Sequence, residues 1–146
     1  MPCVEWSDSY LTGVPTIDGE HRALFSLIND LYDKNLQGFN EESVKSTIDA
    51  LVDYVDYHFT GEERIMQTCD YDDLENHKVG HRKLQNQLET YKLSYQDDPE
   101  SFDMADFIDF LTYWLKDHIL QTDMAYVPFV HGFVDKLVEK PSSVEE

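Results

Sequence analysis

The run His58-Phe59-Thr60-Gly61-Glu62-Glu63-Arg64-Ile65 decides the fold, because two of its polar residues stand where core residues belong. Val44, Ile48, Leu51, Val55, His58, Glu62 and Ile65 follow one another in steps that alternate between four and three residues. That is the spacing of one helix face. Three further seams have the same period. They are Ile17, His21, Leu24, Ile28 and Leu31; Leu74, His77, His81, Leu84, Leu88, Tyr91 and Tyr95; and Met104, Phe107, Leu111, Trp114 and His118. No strand alternation is sustained and no repeat appears. The expected fold is all-α, an antiparallel up-down-up-down four-helix bundle, since the three connections are too short for long crossovers.

The punctuation between seams fits this reading. Residues 1–15 form an extended leader with Gly13 and Pro15, and Thr16 is the expected N-cap of the first helix. Gly38 closes that helix, and Asn40 caps the second. Asp72 is expected to cap the third, with Glu75 three residues on as in a capping box. Gln96–Ser101 reads as a loop. A short amphipathic helix is expected from about Val127 to Val138, and the chain divides into one domain, 1–140, and a flexible tail, 141–146.

Composition narrows the function. The chain has 146 residues, with 30 acidic against 11 basic ones and a net charge of −19. Such a surface repels phosphate backbones and anionic lipid, so nucleic acid and membrane are not expected partners. The start of the chain has neither the basic nor the apolar region of a secretory signal, and no apolar run reaches membrane-spanning length. A cytoplasmic location is expected. Cys3 and Cys69 are not in a CxxC pair and read as reduced thiols.

The seams themselves carry the chemistry. His21, His58, Glu62, His77, His81 and His118 all fall in phase with Leu, Ile and Val. A buried ionisable group without a partner costs several kcal/mol. One such histidine is ordinarily a satisfied core residue; six polar groups on four facing seams must compensate one another, and a metal is the best common partner. His58 and Glu62, like His77 and His81, are four apart, so each pair stacks on one helix face. His118 and Asp123 are five apart, and a regular α-helix turns them roughly 140° away from each other. If Asp123 joins the cluster, the helix must widen, bend or end within 119–122. Five imidazoles and two carboxylates are too many donors for one ion. Two six-coordinate ions offer roughly twelve positions, and these donors with one bridging solvent oxygen fill all but about one. One open position suits one small ligand. The sixth histidine, His131, has no partner spacing and reads as a surface residue.

In this order and spacing, His21, His58-x3-Glu62, His77-x3-His81 and His118-x4-Asp123 resemble the hemerythrin family in its bacterial form. Trp6, Ile17-Asp18, Phe59, Glu63, Trp114-Leu115 and Tyr126 match as well, while Leu84 stands where the family often has an aromatic residue. The resemblance covers about residues 4–137. It implies two irons: one held by His77, His81 and His118, the other by His21 and His58 and carrying the open position. Glu62, Asp123 and an oxo or hydroxo group would bridge them, and dioxygen would bind reversibly. Leu24, Phe25, Phe59, Leu115 and Ile119 would then wall a dry oxygen pocket. The resemblance implies an oxygen carrier or store and not an enzyme. The alternatives are a sensor read by a separate partner and a di-iron enzyme that oxidises or detoxifies peroxide, nitric oxide or ferrous iron. The five-to-two ratio of histidine to carboxylate argues against the enzyme, and a zinc hydrolase needs no such cage.

Overall fold

Each apolar seam becomes one helix in the computed structural model, which describes residues 4–38 and 41–133, and at 120 and 121 the backbone alone. The helices are α1 (Pro15–Gln37), α2 (Glu41–Thr68), α3 (Leu74–Asp97) and α4 (Met104–Asp117). There is no strand among the described residues. α1 packs on α2 and α4, and α2 on α3; α3 and α4 approach each other less closely. Most seam positions bury as their period requires, while Leu74, Tyr91, Met104 and Trp114 are only half-buried. Ile28, Leu31, Leu51, Val55, Phe107 and Leu111 are all fully enclosed. At the α2 end the register slides by one residue, so Met66 is buried and Ile65 only half-buried. No described helix is long and apolar enough to cross a membrane.

The helix ends correct the expected caps. α1 begins at Pro15 with Val14 as its N-cap, not Thr16, and no side chain caps it. Proline suits this first position, because its missing N–H would have no helical partner there. α3 starts after Asp73 rather than Asp72, and no capping box closes it. The loop before α4 lies two residues later than expected, at 98–103, since α3 continues to Asp97 and α4 starts at Met104. Asp103 does cap α4, its carboxylate accepting from the Asp106 N–H at 3.0 Å. Gly38 ends α1 as expected, with φ +70° in the left-handed region that glycine enters freely. Asn40, Cys3, the end of the amphipathic stretch at Val138 and the tail from Pro141 lie outside the described residues.

After α4 the chain enters a π-helix, His118–Asp123, and residues 124–133 then continue as α-helix. The widening expected between His118 and Asp123 is therefore present. The short C-terminal helix follows it without a break.

The leader is strapped down. The Asn29 side chain exchanges two hydrogen bonds of 2.8 Å with the backbone of Val4. Trp6 packs its edge on Phe25, with the Arg22 guanidinium over its face. Asp18, buried in the first turn of α1, accepts from the Thr12 N–H and hydroxyl, each at 2.8 Å, and from the Gly13 N–H at 3.2 Å. His131 is exposed, as expected, yet its ring donates to the Thr12 carbonyl at 2.9 Å and so clasps the leader. Its ring lies where a Cβ on Gly13 would stand, at 3.0 Å, and Gly13 has φ +80°. Both facts call for glycine there. Asp18→Ala is expected to destabilise the metal-free protein by roughly 2–4 kcal/mol in urea unfolding, because three donors lose a charged acceptor. A loss under about 0.5 kcal/mol, the range of neutral surface changes, would show that the strap contributes nothing.

Candidate metal centre

The polar positions of the four seams converge in the middle of the bundle. α1 supplies His21, α2 supplies His58 and Glu62, α3 supplies His77 and His81, and the fourth helix supplies His118 and Asp123 at the two ends of its π turn. All seven are buried, and His21, His58 and Asp123 have no exposure at all. Their donor atoms form two overlapping groups, each within a sphere of mutual distances no longer than 4.8 Å. One contains His21, His58, Glu62, His118 and Asp123; the other contains Glu62, His77, His81 and His118. His118 stands close to both.

The carboxylates lie between the imidazoles. Asp123 Oδ2 is 2.8 Å from His21 Nε2, while Asp123 Oδ1 faces His118 Nε2 at 3.0 Å and His77 Nε2 at 3.5 Å. Glu62 Oε1 faces His81, His118 and His58 at 3.2, 3.3 and 3.5 Å. Several of these approaches are not hydrogen bonds. Among the described residues, the buried side-chain atoms that make none include His58 Nε2, His77 Nε2, His81 Nε2, Asp123 Oδ1 and His21 Nδ1. Leaving such an atom unsatisfied costs on the order of 1–3 kcal/mol. Nitrogen lone pairs and carboxylate oxygens that face one another without hydrogen-bond geometry suit a shared cation, so the residues fit a metal centre.

Electrostatics point the same way. Burial favours the neutral acids, yet the nearby imidazoles outweigh it and hold the Glu62 carboxyl well below its usual range. Asp123 is held below its ordinary value against both burial and the Glu62 charge, chiefly by His118. Burial would strip His118 of its proton, but Asp123 and Glu62 push it up to about 10. His58 also rises, with Glu62 and Glu20 prevailing over burial. The core thus contains two anions that demand positive charge, which protons or metal ions can supply.

A second layer holds these groups in place. His58 Nδ1 is 2.6 Å from Glu20 Oε1, and His81 Nδ1 is 2.7 Å from Glu63 Oε2. A carboxylate only accepts, so each neutral ring carries its proton on Nδ1 and turns its Nε2 lone pair to the interior. Arg82 in turn holds Glu63, at 2.7 and 2.9 Å. Tyr126, fully buried, donates to Glu62 Oε2 at 2.7 Å. Burial and then the Asp123 and Glu62 charges push its hydroxyl far upward, so it remains a donor. The roles of Glu20, Glu63 and Tyr126 went unseen in the sequence. For Glu20 and Glu63 the available signal was adjacency, since a residue next to a ligand points roughly 100° round the helix, toward the neighbouring helix; Tyr126 instead stands three residues after Asp123, close to the same face.

The expected pocket residues are all buried, Leu24, Leu115 and Ile119 fully. Phe25 closes against Trp6 and Tyr10 of the leader. Phe59 lies flat on the His81 ring, with centroids 3.7 Å apart and planes 3° from parallel. It therefore borders the three-histidine part of the cluster.

Glu20→Ala and Glu63→Ala are each expected to weaken metal binding about 10–100-fold without unfolding the bundle. Titration against a competing chelator measures this, and unchanged affinity in both would remove the positioning role.

Residues 12–130 match the model of the hemerythrin HHE cation binding domain. Bacteriohemerythrin of Clostridium acetobutylicum is 29% identical over 125 residues, covering 84% of this chain and 97% of that protein. Bacteriohemerythrin of Pseudomonas aeruginosa is 31% identical over 142 residues, covering 97% and 91%. Myohemerythrin of Theromyzon tessulatum is 30% identical over 122 residues, covering 84% and 89%. A crystal structure of wild-type hemerythrin aligns with a TM-score of 0.80 at 31% identity, over 88% of this chain and 98% of the other. Matched along most of its length in sequence and in backbone, the chain belongs to the hemerythrin family and is bacteriohemerythrin-like.

Proposed function

We propose that this protein binds dioxygen reversibly at a di-iron centre and serves as an oxygen carrier or store. His77, His81 and His118 would hold one iron, and His21 and His58 the other. Glu62 and Asp123 would bridge them together with an oxo or hydroxo group. The observation that carries the reading is the span of Asp123. Its Oδ2 faces His21 while its Oδ1 faces His77 and His118, so one carboxylate addresses imidazoles of both halves, as a bridge must.

The iron pair would supply the open coordination position and the electrons on which bound dioxygen draws. The chain's own residues do the rest. Glu20 and Glu63 orient His58 and His81, and Tyr126 fixes one oxygen of Glu62. Leu24, Phe25, Leu115 and Ile119 keep water from the two-histidine half, while Phe59 fixes the plane of His81. Excluding water and protons would favour departure of the ligand as dioxygen over its protonation and departure as hydrogen peroxide, which would carry off two electrons. Five imidazoles against two carboxylates also leave the site less negative than a carboxylate-rich cage, which favours binding over oxidation of a substrate.

Purified protein is expected to contain about two irons per chain. The reduced form should be nearly colourless, gain a visible band in air and lose it under inert gas through repeated cycles. One irreversible oxidation, followed by catalytic consumption of peroxide or a reductant, would replace the carrier with an enzyme. Glu62→Ala and Asp123→Ala should each destroy the paired site, and iron content would fall to about one ion or fewer. Leu115→Gln should retain both irons but oxidise several-fold faster, because it wets the pocket without touching a ligand. An unchanged oxidation rate would count against the dry-pocket role.

A further inference from the structure

The two halves of the cluster differ in their access to the surface. His21 and His58 have no exposure, and the expected pocket residues Leu24, Leu115 and Ile119 have none either. On the other half a groove of about 480 Å³ runs between α3 and α4 and is lined by His77, His81 and His118 themselves. His77 and His118 keep 6% and 5% exposure at its floor. This is the seam where two neighbouring helices approach least closely. The groove between α1 and α2, by contrast, stops at Glu20, on the outer, Nδ1 side of His58.

Gly80 lines the same groove, in the interior of α3 between His77 and His81. Glycine there costs roughly 0.5–1 kcal/mol relative to alanine. Packing does not require it, since a Cβ at Gly80 would meet nothing within 4 Å. What its missing side chain preserves is open space over two imidazoles. The opposite wall is Trp114, whose ring stacks on His118 at 5.4 Å and 25°. The rim charges, Lys83 and Asp117, offset each other, so the attraction for a cation comes from the −19 of the whole chain.

We propose that metal ions enter and leave the centre through this α3–α4 groove, with His77, His81 and His118 as the first donors an incoming ion meets and Gly80 keeping the way clear. The proposal rests on the metal-centre reading above. It gives the two faces separate traffic: ions pass on the grooved side, and the sealed side is left to an uncharged gas.

The test is the rate at which metal-free protein takes up Co²⁺, followed by the metal's visible absorption, and the rate at which a chelator removes it. Gly80→Leu, which fills the groove, is expected to slow both rates about tenfold or more, with an unchanged final stoichiometry. Gly19→Leu is the matched control, since Gly19 is also exposed within a helix, has open space at its Cβ and lies on α1. It should leave both rates alone. Trp114→Ala, which widens the groove, should speed uptake, and it decides the question if Gly80→Leu does not fold. Rates for Gly80→Leu within about twofold of the parent would overturn the route, as would unchanged uptake in Trp114→Ala or equal slowing by Gly19→Leu. A parent protein that takes up no pair of Co²⁺ ions would instead sink the metal-centre reading, a separate and recognisable outcome.

Discussion

Two ionised carboxylates, Glu62 and Asp123, lie in a core that water does not reach, and the rest of the bundle is arranged around that constraint. Alone, each would be neutralised by its burial. Imidazoles from all four helical segments, His58 and His118 with His81 and His21, keep them charged, and the charge in turn raises the proton affinity of His118 and His58. The interaction is mutual, so no single member can be removed without leaving another unpaired in low dielectric. Four helices must therefore meet at one level of the bundle, and the apolar seams above and below serve to hold them there.

The layer outside the donors converts this electrostatic demand into geometry. Glu20 and Glu63 sit between a ligand-bearing helix and its neighbour, and each fixes which ring nitrogen is free. Tyr126 does for a carboxylate what they do for imidazoles. The leader closes the same region from outside, since the Phe25 ring that borders the core is packed by Trp6 and Tyr10. Asp18 anchors that leader and lies three residues before His21, so one turn of α1 carries both the strap and a member of the cluster.

Much of this was legible in the amino-acid order because it is written within single helices. A seam such as Val55, His58 and Glu62 repeats every 3.6 residues, and His77 with His81 declares its shared face by spacing alone. The five-residue step from His118 to Asp123 even announced its own irregularity, and a π turn is what resolves it. What could not be read depends on contacts between segments. Glu63 stands out by resemblance alone, and what it does is visible only when Arg82 and His81 are brought beside it. His131 is a surface residue in both readings, and its hold on the leader shows only when Thr12 is brought to it. The cap of α1 was misplaced for the same reason: the carboxylate that organises that end belongs to Asp18, inside the helix, and reaches backward to Thr12 and Gly13.

The π turn also has a consequence for everything that follows it. Such a turn behaves as one residue inserted into an α-helix. It sets the helix beyond it back in phase by roughly 100° relative to an uninterrupted one. Asp123, Tyr126 and Val130 share the inward face only in that shifted phase, and His131 meets the leader from it. The single extra residue therefore acts as an indexing key. It sets at once the bridge carboxylate, the tyrosine that holds the other carboxylate, and the clasp on the leader, three contacts that a one-residue deletion within 119–122 would rotate out of register together.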